Sequence, residues 1–212
     1  LYPAIVSTVA LLIVIILPLS LLATLVWVAL AVLLLRQDAI SVRMPRGVAT
    51  LLAVLLTAAA WMALVHFLLE GAITLLSVLF IVWVADTAAY FAGRAFGKRK
   101  LAPHISPGKT WAGVAGAVVA VIGVALIANQ VAPGAGLLSN RLLATLGVVG
   151  AVLLGVVVLL SIVGDLFESL LKRQAGVKDS SHLLPGHGGF YDRVDALLPT
   201  LPLAALLEWI AR

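Results

Sequence analysis

Apolar runs of about 20 residues recur along the chain, and they constrain its fold more than any other feature. A run of this length spans the roughly 30 Å hydrocarbon core of a bilayer as an α-helix. Strands of a membrane barrel would be about half as long and would alternate in polarity, which these runs do not. Hydrophobic residues make up 63% of the sequence and charged residues 11%, unlike a soluble domain. The sequence therefore predicts an integral membrane protein built from helices.

Prolines and glycines divide the apolar sequence into segments. Pro18 predicts a tight turn between the first two segments, and Gly71 separates the third from the fourth. The sixth segment is longer than a bilayer requires, so we expect its last two turns to project into water. Because the sequence begins with Leu inside an apolar run, we expect it to be a piece of a longer protein. The predicted segments lie at about 1–17, 19–35, 47–69, 71–92, 111–131, 141–171 and 196–211.

These segments predict an all-α fold: a polytopic membrane helix bundle with about seven transmembrane helices in one membrane domain. Within it we distinguish N-terminal spans at 1–82, a core with polar loops at 83–195 and a last span at 196–212. A pair at helical spacing, His66 and Glu70, lies at the far end of the third segment and is interpreted as an interfacial pair.

Positive charge is concentrated in three polar loops. The loops at 36–46, 94–110 and 172–195 hold 12 of the 14 Lys and Arg residues, and successive loops are separated by two apolar segments. All three are therefore expected on one side of the membrane, which the positive-inside rule makes cytoplasmic. Such a basic face suits anionic lipid headgroups and phosphates. Nucleic acid is a poor alternative, because the basic residues lie in short loops without a soluble reading domain.

Acidic and basic residues gather between Ser161 and Asp195. Ser161, Asp165, Glu168 or Ser169, and Lys172 recur at helical spacing and form a polar stripe on an otherwise apolar helix. Asp165 from this helix and Asp192 from the following loop could share a hard cation, because Mg²⁺ is usually held by one or two carboxylates plus substrate phosphates. The chain has no cysteine, and His182 and His187 lack zinc-ligand spacing. Any single acid here could be a solvated loop charge, but the whole constellation indicates a site.

A second polar stretch runs from Asp86 to Thr110. Asp86, Tyr90 and Arg94 fall on one helix face, where Asp86 is either a functional acid or the partner of Arg94. Ser106-Pro107-Gly108-Lys109-Thr110 then leads into a helix whose N-terminus, with a lysine and hydroxyls, could cradle a phosphate. A capped helix with a snorkelling lysine is the alternative. A P-loop is rejected, because Pro103 replaces its first glycine and no strand is predicted before it.

These motifs resemble a known family. Ser169 with Lys172-Arg173, then Lys178-Asp179, then Pro185-Gly186-His187-Gly188-Gly189, then Asp192-Arg193-Val194-Asp195 resemble the signature of the phosphatidate cytidylyltransferase (CDP-diacylglycerol synthase) family. The stretches from Asp86 to Lys98 and from Ser106 to Thr110 are similar to the family's other cytoplasmic region. The resemblance covers 83–195. Ala112 stands where the family usually has an acid, so an acidic role cannot be transferred there.

The resemblance implies a reaction in phospholipid biosynthesis, in which CTP and phosphatidic acid give CDP-diacylglycerol and pyrophosphate with Mg²⁺. It leaves open whether a monovalent cation takes part. It further implies a bacterial inner-membrane protein with its active site facing the cytoplasm, surrounded by membrane lipids. Family members are often dimers, so a homodimer is expected.

The resemblance also assigns roles to individual residues. Asp165 and Asp192 would bind the metal, and with Lys172 and Asp86 they would form the catalytic set. The residues expected to bind the substrates are Ser106, Lys109, Thr110, Arg94, Lys98, Arg173, Lys178, Asp179, His187, Gly188, Gly189, Arg193 and Asp195.

Two other functions remain open from the sequence. A CTP-dependent lipid kinase would transfer the γ-phosphate to a lipid alcohol and release CDP without pyrophosphate. A multi-spanning transporter would carry charges at mid-membrane in paired broken helices, whereas nearly all charges here gather at one face. A CDP-alcohol phosphotransferase is excluded, because its DGxxAR…GxxxDxxxD pattern is missing from the sequence.

Overall fold

The computed structural model describes residues 2–34, 45–181 and 189–212, with side chains placed from Val14 onward in the first of these ranges. The described residues form helices joined by short connections and one small hairpin. In chain order the elements are α1 (Tyr2–Leu34), α2 (Arg46–Glu70), α3 (Ala72–Phe96), β1 (Lys100–Ala102), β2 (Ser106–Thr110), α4 (Trp111–Val131), α5 (Leu138–Leu146), α6 (Val148–Ala175), α7 (Tyr191–Val194) and α8 (Leu197–Ile210).

The protein is an all-α polytopic membrane protein. Among the described residues, five helices are long and apolar enough to cross a bilayer: Val14–Leu34 of α1, and α2, α3, α4 and α6. The bounds of α2, α3 and α4 lie within a few residues of the predicted segments 47–69, 71–92 and 111–131. The predicted count of about seven spans is not confirmed, for reasons that differ at each end of the chain.

The predicted turn at Pro18 is wrong. The helix α1 runs without interruption from Tyr2 to Leu34 with Pro18 inside it. A proline removes one backbone hydrogen bond, whereas a turn inside hydrocarbon would expose several unpaired backbone groups to lipid. Continuing the helix is therefore the less costly solution, and the described residues of the first two predicted segments form one helix, Tyr2–Leu34.

The predicted sixth segment is divided into two helices at Gly147. This residue separates α5 from α6. Its backbone lies at φ 55° and ψ −123°, a conformation that residues other than glycine rarely adopt. Glu168 and Lys172 lie in the C-terminal turns of α6, and the predicted projection of these turns into water stays a prediction. The predicted last span is the 14-residue helix α8, which extends only about 21 Å and is mostly buried among the other helices.

The loops that contain β1 and β2 and the end of α6 lie at the same end of the bundle. Lys109 of β2 pairs with Asp165 of α6 at 2.6 Å between Nζ and Oδ2, and the Arg173 Nε donates to the Ile105 carbonyl at 3.4 Å. The expectation that the 94–110 and 172–195 loops share one side is therefore confirmed for their described residues. Which side of the membrane this is stays a prediction.

The opposite end of the bundle holds a buried ion cluster around Glu208 of α8. Glu208 is fully buried, and its carboxylate accepts hydrogen bonds from Arg141 at 2.6 Å and Arg212 at 3.1 Å. His66 contacts it at 3.2 Å, and Glu70 pairs with Arg212 at 2.5 Å. The predicted pairing of His66 with Glu70 is wrong, because each residue instead has a partner in the C-terminal helix region. The cluster joins α2, α5 and α8.

The two strands form an antiparallel hairpin between α3 and α4, with Lys100 opposite Thr110 and Ala102 opposite Ser106. The strand β1 precedes the Ser106–Thr110 motif, so the expectation of no strand before it, one of the two grounds for excluding a P-loop, is wrong. The motif Ser106–Thr110 is itself extended and paired, however, so it does not wrap as a phosphate loop. Thr110 caps α4, because its Oγ1 accepts a hydrogen bond from the Gly113 amide at 3.1 Å.

Small residues allow α3 and α4 to pack closely. A Cβ at Gly113 would lie 2.9 Å from the Ala89 carbonyl oxygen, and a Cβ at Gly116 would overlap the Ala92 methyl group. Gly123, further along α4, has no neighbouring atom of the described residues within 4 Å of such a Cβ. The predicted role of the small residues in 112–123, close helix packing, is therefore confirmed at its first two turns.

We expect Gly116→Ala to destabilise the protein by about 1–3 kcal/mol, because the added methyl group forces α3 and α4 apart. The matched control is Gly123→Ala, which adds the same methyl group into open space and raises helix propensity by about 1 kcal/mol at most. Thermal unfolding in detergent micelles measures both. Equal melting temperatures for the two variants would contradict the close packing at Gly116.

Candidate functional site

A polar cavity of about 360 Å³ lies between α3, the hairpin, the start of α4 and α6. It brings together residues that are far apart in the chain. Hydroxyl, ammonium and carboxylate groups share its wall with apolar side chains, so the cavity suits a charged or strongly polar ligand. Of the predicted site residues, Asp86, Ser106, Lys109, Thr110 and Asp165 line this cavity.

Lys109 is the central cation of the polar cavity. Its Nζ lies 2.6 Å from Asp165 Oδ2, and Asp165 Oδ1 accepts a weaker hydrogen bond from Ser169 at 3.3 Å. Asp86 interacts electrostatically with both Lys109 and Asp165. Arg94 instead donates to the Tyr90 hydroxyl at 3.0 Å. The structure thus favours Asp86 as a member of the cavity over Asp86 as the partner of Arg94.

A second charged cluster surrounds Lys172 near the C-terminal end of α6. Lys172 Nζ lies 2.6 Å from Glu168 Oε2 and 2.7 Å from Asp192 Oδ1. Glu168 was predicted to belong to the polar stripe of this helix but not to the site. Its position four residues before Lys172 was the feature of the sequence from which this ion pair could have been predicted.

Asp192 also organises the backbone around it. Its Oδ2 accepts hydrogen bonds from the Gly189 amide at 2.6 Å, the Ser180 amide at 3.0 Å and the Ser180 hydroxyl at 2.8 Å. Partial burial opposes ionisation, but these donors together with Glu168 and Lys172 outweigh it and hold the pKa of Asp192 well below its usual range. Gly189 leaves no room for a side chain, because a Cβ there would overlap Ser180.

An apolar cavity of about 430 Å³ lies on another side of α6, enclosed by α1, α2, α7 and α8. Its wall is formed by hydrocarbon and aromatic groups, with a few polar groups toward the end of α6. The apolar side chains include those of Trp27, Leu56, Phe167, Leu171 and Leu198, and the polar ones those of Thr57, Glu168, Lys172, Ser180, Tyr191 and Asp195.

Asp195 connects the two cavities electrostatically. It lines the apolar cavity, and its Oδ1 accepts a hydrogen bond from the Ala196 amide at 2.7 Å. Burial and then the nearby negative charge of Asp165 raise the pKa of Asp195 to about 6. Asp86 adds to this effect and Lys109 opposes it. The carboxylates of Asp86, Asp165 and Asp195 therefore all interact electrostatically with the ammonium group of Lys109.

The other predicted substrate-binding residues lie around this centre. Arg173 holds the hairpin through the Ile105 carbonyl. Arg94, Lys98, Lys178, Asp179 and Arg193 are exposed at the same end of the bundle. His187 and Gly188 lie outside the described residues. Their proposed contacts with substrate stay predictions.

The two acids predicted to share a magnesium ion lie in different charged clusters, Asp165 with Lys109 and Asp192 with Lys172, and the shared ion stays a prediction. The described part of the chain contains no ready-made group of three or more potential metal ligands. Asp165 and Asp192 each face an ammonium group at 2.6 and 2.7 Å respectively, so both positions already favour positive charge. Glu168 also has a buried oxygen, Oε1, without a hydrogen-bond partner among the residues that the structure describes. An all-oxygen set that substrate phosphates and water must complete suits Mg²⁺ better than a transition metal.

Comparison with known proteins identifies the family of the chain. The model of the cytidylyltransferase family matches residues 2–211. The chain is 47% identical over 134 residues to the phosphatidate cytidylyltransferase of Haemophilus influenzae, which covers 63% of this chain and 44% of that protein. It is 49% identical over 138 residues to the Pseudomonas aeruginosa protein of the same name, covering 65% of this chain and 48% of the relative.

The protein of that name from Bacillus subtilis is 42% identical over 130 residues, covering 60% of this chain and 44% of the relative. The alignments thus span about half the length of the curated relatives. The match to the family model extends over nearly all of the sequence, from the first helix to the last. The chain belongs to the cytidylyltransferase family.

Proposed function

We propose that this protein transfers CMP from CTP to phosphatidic acid, giving CDP-diacylglycerol and pyrophosphate. The observation that carries the proposal is the pair of cavities at α6. One is polar and contains Asp86, Lys109 and Asp165, and the other is apolar and carries Lys172 at its wall. An enzyme that joins a nucleotide to a lipid needs such a polar and an apolar compartment in contact. The names of relatives that are 47% and 49% identical point to the same reaction.

In this reaction a phosphate oxygen of the lipid attacks the α-phosphorus of CTP. A new bond forms between that oxygen and the α-phosphorus, and the bond to the bridging oxygen of pyrophosphate breaks and gives its electron pair to the leaving group. The nucleophile is already anionic, so a strong base is not required. The protein must instead align two polyanions and offset the charge that accumulates on the transferred and leaving groups.

The charged residues at α6 have suitable roles for that task. Lys109 lies in the polar cavity, where it would contact nucleotide phosphates, and Ser106 and Thr110 offer hydroxyl donors nearby. Lys172 lies at the apolar cavity, where it would contact the lipid phosphate. Asp165 and Asp192 would hold Mg²⁺, which would neutralise phosphate charge when bound. The exposed basic residues at this end of the bundle, Arg94, Lys98, Lys178 and Arg193, would attract both substrates.

We further propose that this end of the bundle faces the cytoplasm of a bacterial inner membrane and that the working protein is a homodimer. The concentration of 12 of the 14 Lys and Arg residues in three loops supports the orientation. The dimer rests on family resemblance alone. Crosslinking in native membranes tests it, and a single monomer band at all crosslinker concentrations would contradict it.

The function is tested with purified protein, labelled CTP, phosphatidic acid and Mg²⁺. We expect CDP-diacylglycerol and pyrophosphate in equal amounts, with diacylglycerol unable to replace phosphatidic acid. Release of CDP with a phosphorylated lipid alcohol would instead identify a CTP-dependent lipid kinase. Neither product above background would contradict the proposed transfer.

A further inference from the structure

Trp27 of α1 carries a buried hydrogen-bond donor without a partner. Its side chain is 1% exposed and lines the apolar cavity, with its ring edge-on to Phe167 at 5.5 Å between centroids. The Nε1 atom has no hydrogen-bond partner within the described part of the protein. A buried N–H without an acceptor costs roughly 1–3 kcal/mol, so such groups usually meet a protein group, a water molecule or a ligand.

Trp27 belongs to a polar stripe on α1. Ser20, Thr24 and Trp27 follow at intervals of four and three residues, so they lie on one helix face. The side-chain polar atoms of all three are buried and have no partner among the described residues. Serine and threonine in a membrane helix ordinarily bond to their own backbone or to a neighbouring helix. The face that contains Trp27 can therefore meet polar groups that the described residues do not supply.

The cavity that Trp27 lines also has a polar end, which lies along α6 from Phe167, the ring that Trp27 contacts. Lys172 lies five positions after Phe167 on α6, which corresponds to about 8 Å along the helix axis. Thr57 and Tyr191, whose hydroxyl oxygens are 3.3 Å apart, also line the cavity. An occupant would thus meet hydroxyls and an ammonium at one end, an indole N–H about one and a half helical turns deeper, and hydrocarbon elsewhere.

We propose that the apolar cavity binds the glycerol-ester region of the lipid substrate, with an ester carbonyl accepting a hydrogen bond from Trp27 Nε1. The phosphate of the lipid then lies toward Lys172, and its acyl chains run along the apolar wall. In a diacyl glycerophospholipid the ester carbonyls are separated from the phosphate by the three-carbon glycerol, which is of the required length. This inference rests on the proposed function, since it assigns part of the substrate of that reaction to a residue of α1.

The donor on Trp27 makes the protein selective for ester-linked over ether-linked lipids. An ether-linked phosphatidic acid has the same phosphate and chains but lacks the carbonyl oxygens. We expect the wild-type protein to show a KM for the ester lipid about three- to tenfold lower than for the ether lipid, the factor that one neutral hydrogen bond supplies. Trp27→Phe keeps a ring against Phe167 and removes the donor, so its KM for the ester lipid should rise to the ether value.

The matched control is Trp61→Phe, which removes the same N–H from a side chain of α2 that is 63% exposed. This variant should retain the wild-type preference for ester lipids. Equal KM values for the two lipids in the wild type, or an equal rise for both in Trp27→Phe, would overturn the proposal. The first comparison needs no variant, so a Trp27→Phe protein that fails to fold does not prevent the test.

Lipid binding without CTP separates this inference from the proposed function. Dioleoyl phosphatidic acid and its dioleyl ether analogue are each titrated into the protein in nanodiscs, and bound lipid is measured by native mass spectrometry. Preferential retention of the ester by the wild type but not by Trp27→Phe supports the Trp27 contact even if no CDP-diacylglycerol is formed. Equal retention of both lipids by the wild type would mean that water or another group satisfies Nε1.

Discussion

Asp165→Asn should reduce the formation of CDP-diacylglycerol by at least about a hundredfold while leaving the fold intact. Asparagine has the same shape as aspartate but removes the negative charge that lies 2.6 Å from Lys109 and would hold Mg²⁺. Loss of one group that stabilises developing charge in a preorganised site commonly costs about 10²–10³ in turnover. The Asp165 side chain is 37% exposed, so the substitution leaves no deeply buried charge unpaired. Initial rates with saturating CTP and phosphatidic acid measure the loss.

The matched control for this prediction is Glu70→Gln, the same acid-to-amide change at the opposite end of the bundle. Glu70 pairs with Arg212 and lies far from both cavities, so the rate should stay close to the wild-type value. The melting temperature of Asp165→Asn should also lie within a few degrees of the wild type. Turnover above about a tenth of the wild-type rate would remove Asp165 from the catalytic set.

The long apolar helices could be predicted because lipid leaves the chain few alternatives. Every backbone group in hydrocarbon must find a partner within the chain, so a run such as 111–131 can only be a helix, and α4 has those bounds. The same rule explains why the turn predicted at Pro18 is wrong. Proline often marks a turn in a soluble protein, but in hydrocarbon the helix continues through it. The break at Gly147 was missed for a different reason. It depends on one backbone conformation, which apolar periodicity does not reveal.

The site could be predicted only where its groups follow one another at helical spacing. Glu168 and Lys172 contact each other four residues apart, as the spacing indicates. The pairing of Lys109 with Asp165 joins residues 56 positions apart and depends on how α4 and α6 pack. The Trp27 donor carries no sequence signal at all, because a tryptophan in an apolar run is ordinarily a packing residue or an interfacial anchor.

Glu208→Gln should lower the free energy of unfolding by about 3 kcal/mol, the largest stability effect expected in this protein. Glu208 is fully buried and accepts hydrogen bonds from Arg141 and Arg212, while His66 contacts its second oxygen. Removing its charge leaves two arginines beside an uncharged amide, and breaking a buried ion pair from one side typically costs about 3–5 kcal/mol. The arginine side chains are 33% and 38% exposed and can turn toward water, so the lower end of that range is expected.

Thermal unfolding in detergent micelles measures this effect, and a fall in melting temperature of about 6–12 °C corresponds to 3 kcal/mol for a chain of this size. Glu70→Gln is again the control, because the partly exposed pair of Glu70 with Arg212 should contribute less than about 1 kcal/mol. Arg141→Met combined with Glu208→Gln should recover part of the loss, since it removes one of the unpaired charges. Glu208 lies at the end of α8 farthest from Asp195. The Glu208→Gln protein that folds should therefore have a near-normal initial rate and lose its activity faster than the wild type on heating. A melting temperature equal to that of Glu70→Gln would mean that the cluster does not hold α8 in place.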